Sequence, residues 1–514
     1  MKNLLLTSAL FLTTLYLTAQ APTIEWQKSL GGSGDDFGYS IQQTTDGGYI
    51  VGGHSNSTDG DVTGNHGGWD YWVVKLSNSG TIEWQKSLGG SGNDFGHSVH
   101  QTTDGGYIVI GSSESNDGDV TSNYGDDDFW VVKLSNIGTI EWQKSLGGSG
   151  YDAATSIRQT TDGGYIIAGT STSTDGDVTG NHGNSDYWVV KLDSIGTIIW
   201  QKSLGGSGSD TGWDVKQTTD GGCIVVGFSS SSDGDVTINY GFSDYWIVKL
   251  DSIGVITWQK SLGGNILDEA FSVQQTIDGG YVVAGRSRST NGDVTGNHGF
   301  YDYWVVKLNN SGTIIWEKSL GGSGSDYSFF IQQTTDGGYI VAGYSNSTDG
   351  DVTGNHGISD DYWIVKLSNT GSIVWQNSLG GTGSDVATSI QQTTDGGYVI
   401  VGYSNSTDGD VTGNHVGSTD YWVVKLSASV GVNEVAEFND FNVYPNPTSN
   451  QITLKVKTDL IGAVYTVYDN MGKVVMSGKI NNEHTIIELD NISNGIYLFS
   501  IGENSQQTFK VIKN

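Results

Sequence analysis

The chain has 514 residues, among them 77 glycines and only 3 prolines, and carries a formal net charge of −32. That acidity excludes nucleic acid as a partner and disfavours anionic lipid, since both would be repelled. A single cysteine, Cys223, excludes an internal disulfide, and no stretch beyond residue 20 approaches the ~20 apolar residues of a membrane span.

In chain order, residues 1–20 read as a secretory signal. Lys2 supplies the positive start, Leu4 to Leu17 the short apolar stretch, and Thr18 and Ala19 the small residues before Gln20. No cysteine directly follows the apolar stretch, so a lipid-anchored lipoprotein is not expected.

From residue 21 the chain repeats itself. The marker is the tryptophan of T-I-E-W-Q-K-S-L-G-G, at Trp26, Trp84, Trp142, Trp200, Trp258, Trp316 and Trp375, a period of 58 residues with one step of 59 at the doubled Asp360-Asp361. Such self-similarity means an array or a closed ring of like units. Within a unit, S-I-Q-Q-T-T and Y-I-V-G-G flank Asp46-Gly47-Gly48, a hairpin signal because glycine accepts the positive φ of the turn. A longer loop, S-N-S-T-D-G-D-V-T-G-N-H-G-G, leads to Y-W-V-V-K-L, a tight turn S-N-S-G, and T-I-E-W-Q-K-S-L. That makes four strands with no helical period. The phase points to closure: Thr23 to Leu30 is a lone outer-type strand, and the last unit stops at Leu426 after three. Together they complete a seventh blade and remove both open edges. The fold class is therefore all-β, a seven-bladed β-propeller closed by its N-terminal strand; an open solenoid would need capping repeats, and none is visible. The units resemble known secreted bacterial propeller repeats, D-G-G-Y-I-V-A-G … D-Y-W-V-V-K-L … W-Q-K-S-L-G-G-S-G-x-D, over Thr23 to Leu426. That resemblance implies architecture rather than activity.

The segment 428–440 reads as a linker, and 441–514 as a small β-sandwich of Ig-like type, built from alternating strands with turns at Asp469 to Gly472 and Asn494-Gly495. Its motifs are Tyr444-Pro445-Asn446-Pro447-Thr448, Gly472, Asn494-Gly495-Ile496-Tyr497 and the tail Lys510-Val511-Ile512-Lys513. In that order they resemble the type A C-terminal sorting domain of type IX secretion in the Bacteroidetes. The resemblance implies passage across the outer membrane by the type IX machinery, with the domain often removed and the cargo released or attached at the surface. The charge follows the division: Ala21 to Leu426 holds 17 Lys+Arg against 47 Asp+Glu, whereas Phe441 to the end holds 6 of each. The domains are thus 1–20, signal; 21–427, propeller; 428–440, linker; 441–514, sorting domain.

Candidate sites lie where longer loops gather. Four aspartate columns, represented by Asp36, Asp59, Asp61 and Asp70, place 27 of the 47 acids of the array on or near one face. In the D-G-D-V-T-G-N loop, Asp59, Asp61, Thr63 and Asn65 offer oxygens at alternating positions, a candidate calcium set, set against the plainer reading that these side chains cap their own turns. Histidines recur at the His66 column on separate blades, which argues against a shared metal. Two columns vary between copies. One runs Tyr39, His97, Thr155, Trp213, Phe271, Phe329, Thr388; the other runs His54, Ser112, Thr170, Phe228, Arg286, Tyr344, Tyr403. Their aromatics can stack on sugar rings or anchor a partner chain, against the plainer reading of tolerant or merely exposed positions. The Tyr39 column shares strand parity with Ile41, which suggests packing between blades. Cys223, standing where six copies have tyrosine, reads as a buried free thiol. No nucleophile elbow, zinc helix or phosphate loop is present. The expectation is a non-catalytic binding or adhesion module, with a polysaccharide or extracellular matrix polymer as partner and repeated weak contacts as its means. The alternative is a carbohydrate-active enzyme, a glycoside hydrolase or lyase, on a propeller scaffold.

Overall fold

In a computed structural model of the chain, the described residues are 21–428, 441–444, 448–456, 460–469, 473–501 and 507–513. The expected signal 1–20, all but the first residue of the expected linker, and Pro445, Asn446, Pro447 and Gly472 lie outside them. Two compact units divide between Ser429 and Val430. No helix of the described residues is long and apolar enough to cross a membrane.

The first unit is a ring of seven four-stranded antiparallel sheets. In the first complete blade the strands Asp36–Gln43, Tyr49–Ser55, Asp70–Leu76 and Ile82–Leu88 pair in sequence order, innermost first. The second and third strands are buried along their whole length, as expected of the middle of a blade packed on both faces. The inner hairpin turns on Gly47, whose φ is +85°, while the Asp46 carboxylate accepts the Gly48 N–H at 2.9 Å and pairs with Lys75 Nζ at 3.0 Å. The V-V-K-L lysines are therefore pins between the third strand and the inner turn. Blades are stapled by the Tyr-Trp pairs: Tyr71 Oη donates to Trp130 O of the next blade at 3.0 Å, and the rings lie 4.8 Å apart.

Closure follows the predicted phase. Ile24–Leu30 pairs with Asp420–Leu426, with Leu30 opposite Tyr421 and Ile24 opposite Leu426, completing the blade begun by Asp385–Gln392 and Tyr398–Ser404. The seam repeats the other junctions: Tyr421 Oη donates to Trp72 O at 3.0 Å, and Trp422 Nε1 to Gln27 Oε1 at 2.8 Å.

One blade carries a defect. Elsewhere the outer tryptophan meets a tyrosine of the next blade edge-on, as Trp84 meets Tyr107 at 5.5 Å. Beside Trp200 that position is Cys223, a buried free thiol with its pKa pushed up to about 12 by burial, and a cavity of about 80 Å³ opens between them. Filling it should stabilise. At about 24 cal/mol per Å³ of cavity the gain from Cys223→Tyr approaches ~2 kcal/mol. Chemical denaturation should show a higher midpoint with an unchanged slope; a lower midpoint would mean the junction has closed around the cysteine.

The second unit packs a three-stranded sheet (Phe441–Tyr444, Gln451–Val456, His484–Glu488) against a four-stranded one (Val474–Lys479, Val464–Tyr468, Gly495–Ile501, Gln507–Lys513). Ile452, Leu454 and Ile487 of the first meet Val467, Phe499 and Val511 of the second in one core, which makes a β-sandwich.

Candidate functional site

The innermost strands of neighbouring blades pack against one another around a central channel. Each has a bulge at the same place. In the first blade Gly38 pairs with Gly53 and Ser40 with Gly52, so Tyr39 is an extra residue without a partner. The bulges of the other blades fall on His97, Thr155, Trp213, Phe271, Phe329 and Thr388. A bulge re-aims its side chain. Here the whole column lines a cavity of about 300 Å³ in the channel, and Tyr39 sits there between His97 of the next blade and Tyr403 of the last.

Within that cavity the aromatics touch in sequence. Tyr39 and His97 meet edge-on at 5.0 Å, Trp213 and Phe271 at 4.9 Å, and Phe271 and Phe329 at 5.4 Å. Tyr403 joins the lining, 6.5 Å from Tyr39. Burial drives the His97 pKa down to about 4 and that of His54 to about 3, so both imidazoles are neutral and act as aromatic surface. Arg286 flanks this wall. Its guanidinium pairs with Glu269 and lies 4.3 Å from the Tyr327 ring centre and 5.5 Å from that of Phe271. Tyr344 stacks on Tyr327 at 4.7 Å and comes within 6.0 Å of Phe329. Phe228 is half-buried at the corresponding strand end, away from the lining.

Deeper in, the sevenfold symmetry breaks. Four blades carry glutamine two residues past the serine column of the inner strand, but the second, third and fourth carry His100, Arg158 and Lys216. Asp214 stands where five blades have serine, and Phe330 where another would. Lys216 Nζ lies 2.8 Å from Asp214 Oδ1, which also accepts the Ser156 hydroxyl at 2.7 Å. Arg158 Nη2 is 3.6 Å from the same carboxylate, and its Nη1 donates to Ile157 O at 2.7 Å and meets His100 Nε2. His100 and Arg158 line both the aromatic cavity and a second one of about 430 Å³ beyond it, so the group marks the waist between them. Burial and the neighbouring Arg158 lower the Lys216 pKa to about 8. Sequence reasoning missed these four residues by weighting the loops; the aligned Gln/His/Arg/Lys column was the signal.

The acids are arranged differently from an exposed acidic face. The Asp36 and Asp70 columns are buried in all seven copies, at 0–1% exposure. Asp36 Oδ2 accepts the Gly32 N–H at 2.9 Å and the Ser57 hydroxyl at 2.9 Å; Asp70 Oδ2 accepts the His66 N–H at 2.9 Å and meets His66 Nδ1 at 2.7 Å. The two columns face each other across glycine: any Cβ on Gly89 would meet Asp94 Oδ2 at 2.5 Å and Asp70 Oδ1 at 2.9 Å. In the calcium candidate loop, Asp59 Oδ1 accepts the Ser33 N–H at 2.7 Å, Asn65 Oδ1 accepts the Gly67 N–H at 3.0 Å, and Asp61 Oδ2 lies 3.4 Å from the Gly31 nitrogen. Only the Asn65 bond caps its own turn; Asp59 and Asp61 instead tie the loop to Ser33 and Gly31, 26 and 30 residues away. Among the described residues no group of three or more His, Cys, Asp or Glu side chains is placed to hold a metal.

In the C-terminal unit, Tyr444 is exposed at a strand end, and Gly495 opens the strand on which Tyr497 donates its hydroxyl to Ser493 O at 2.7 Å. Lys513 is buried, with Nζ donating to Leu489 O at 2.8 Å and Ile492 O at 2.6 Å, so it closes a turn from within. Lys510 lies on the same last strand.

Comparison with known proteins falls in two parts. Residues 442–514 match the family described as "Secretion system C-terminal sorting domain". The regulatory protein FlaEY of Caulobacter vibrioides is 29% identical over 141 residues, covering 24% of this chain and 14% of that protein. Among solved structures, PorZ, an essential bacterial surface component of the type-IX secretion system of Porphyromonas gingivalis, is similar at a TM-score of 0.40 and 11% identity, over 97% of this chain and 61% of that one. Puromycin hydrolase is similar at a TM-score of 0.45 and 11% identity, over 86% of this chain and 62% of that one. The chain thus spans less than two thirds of each of these proteins. Its C-terminal unit is a type IX sorting domain, and the protein it addresses is a secreted or cell-surface protein built on a seven-bladed β-propeller.

Proposed function

We propose that the protein is a non-catalytic binding module whose ligand enters the aromatic mouth of the propeller channel. The observation that carries this reading is the convergence of Tyr39, His97, Trp213, Phe271, Phe329 and Tyr403 on one cavity. Its volume of about 300 Å³ is at the low end for small-ligand pockets. Flat aromatic walls suit the faces of a sugar ring, and the serine, threonine, Arg158 and Asp214 side chains that share the lining suit its hydroxyls. The partner class is a polysaccharide or extracellular matrix polymer, presented by a chain end or a protruding residue. The site is single, so affinity rests on one aromatic funnel rather than on seven separate contacts.

Hydrolysis of a glycosidic bond by the usual route needs two carboxyl groups flanking it. Asp214 is the only acid among the residues lining the two channel cavities, and it is held by Lys216. That favours binding over turnover.

The test is a glycan screen followed by titration of the best ligand. Trp213→Ala is expected to weaken binding at least tenfold, equivalent to about 1.4 kcal/mol, with the melting point little changed. Unchanged affinity would remove the channel as the site, and turnover abolished by Asp214→Asn would establish an enzyme instead.

A further inference from the structure

We propose that the waist of the channel is an oxyanion site, and that the saccharide bound in the aromatic mouth carries a carboxylate or sulfate. This inference rests on the binding reading above and names the chemistry of its ligand.

The first support is where the bases are. Of the 17 Lys and Arg between Ala21 and Leu426, 13 belong to the two lysine columns of the repeat. The V-V-K-L column is bound to acids, as Lys75 is to Asp46 and Glu83. Only Arg158, Lys216, Arg286 and Arg288 stand outside those columns, and two of the four meet at the channel waist. A chain this acidic repels anions from its surface, so an anion is attracted only where the excess reverses locally.

The second support is the charge balance at the waist. Two cations share one carboxylate, and the lining of both cavities supplies no other acid. Asp214 is already saturated: besides Lys216 and Ser156 it accepts the Val273 N–H at 3.1 Å. His100 is held neutral by burial and by Arg158 and Lys216. One positive charge is left without a counter-ion, and the five N–H donors of Arg158 exceed the four partners Ile157 O, His100, Ser98 Oγ and Asp214. A guanidinium beside an ammonium is suited to a planar carboxylate or a sulfate. The third support is position, because Arg158 lines the cavity whose wall is aromatic, and Lys216 lines the cavity beyond it. A pyranose stacked at Trp213 and Phe271 would direct a charged substituent toward Arg158.

The experiment titrates the full chain with an oligogalacturonate and a neutral oligogalactan of equal length, and repeats both in the presence of sodium sulfate. It uses the native protein and the variant Arg158→Gln/Asp214→Ser/Lys216→Gln. That variant carries the residues the other blades already have, so it preserves the fold, and a matching melting curve verifies this. The native chain should bind the acidic oligomer at least tenfold more tightly than the neutral one, sulfate should compete with it, and the variant should lose both the preference and the competition while still binding the neutral oligomer. Equal affinity of the native chain for the two oligomers, or a preference that survives in the variant, overturns the oxyanion site and leaves the channel-binding reading standing. Failure of both oligomers to bind overturns the saccharide reading along with it.

Discussion

Deleting Thr23 to Leu30 should abolish cooperative folding of the whole propeller, although it removes eight residues from one rim. The strand supplies the fourth member of the last blade, and its loss strips Asp420–Leu426 of its outer ladder. Leu30, 4% exposed, leaves the core seam it shares with Ile41, Val401 and Tyr421. Burying one leucine contributes about 1.5–3 kcal/mol, and the Trp422 indole N–H, deprived of Gln27, costs about 1–3 kcal/mol more. Lost ladder bonds bring the total to the scale of a whole domain's stability, about 5–15 kcal/mol. The exposed edge would also invite pairing with another chain. A permutant separates closure from composition. The Ser427 N–H bonds Thr23 O at 2.9 Å, so the displaced strand can follow Ser427 through a turn like Ser77 to Gly80. The deletion is expected to melt at least 10 °C lower or to aggregate, and the permutant to recover native melting. A deletion that melts like the intact protein would show that the ring does not depend on its seam.

What the sequence made legible was what repetition controls. The Trp26 column set the period, the odd strand at the start and the three at the end set the closure, and Asp-Gly set the inner turns. That the Tyr39 column lines the channel was not legible, because a bulge is a property of pairing. Whether Gly38 or Tyr39 opposes Gly53 is settled by the neighbouring strand, and a slip of one residue moves a side chain to another face. The burial of the aspartates was not legible for a related reason. Composition counts Asp36 and Asp70 as charge, while the fold uses them as acceptors for Gly32, Ser57 and His66, bonds that join residues up to 21 positions apart. The waist group was legible in principle, since His100, Arg158 and Lys216 depart from an aligned glutamine. It becomes persuasive only when three blades that are separate in sequence bring those residues to one point of the channel.

The buried aspartates predict an unusual pH dependence. Burial, the first cause in each case, raises Asp36, Asp70 and Asp326 to about 6 and Asp128 and Asp244 to about 7, with the facing aspartate adding repulsion. In the unfolded chain these groups titrate near 3.9. Between about pH 4 and pH 7 the native state therefore holds more protons than the unfolded one, and stability falls as pH rises through that window. Two sets of groups act the other way. Asp46, Asp104, Asp162, Asp220 and Asp278 are brought down to about 2 by bonds to threonine, glycine and lysine, so their support is lost only below about pH 4. They are mostly exposed, and their contribution is small. His54, His97 and His100, neutral in the fold, withdraw support as pH falls below about 6.5. Five aspartates raised to about 6 or 7 outweigh three histidines, and the optimum should lie near pH 5. A shift of two pH units is equivalent to about 2.7 kcal/mol per buried group, so the melting temperature is expected to fall by at least 10 °C between pH 5 and pH 8. Asp70→Asn tests the cause: an amide placed where Asp70 Oδ1 faces Asp94 Oδ2 replaces repulsion with a hydrogen bond, so the variant should melt higher than the native chain at pH 8 and no higher at pH 5. A native melting temperature that is flat or rising from pH 5 to pH 8 would mean that the facing carboxylates are already compensated at each junction.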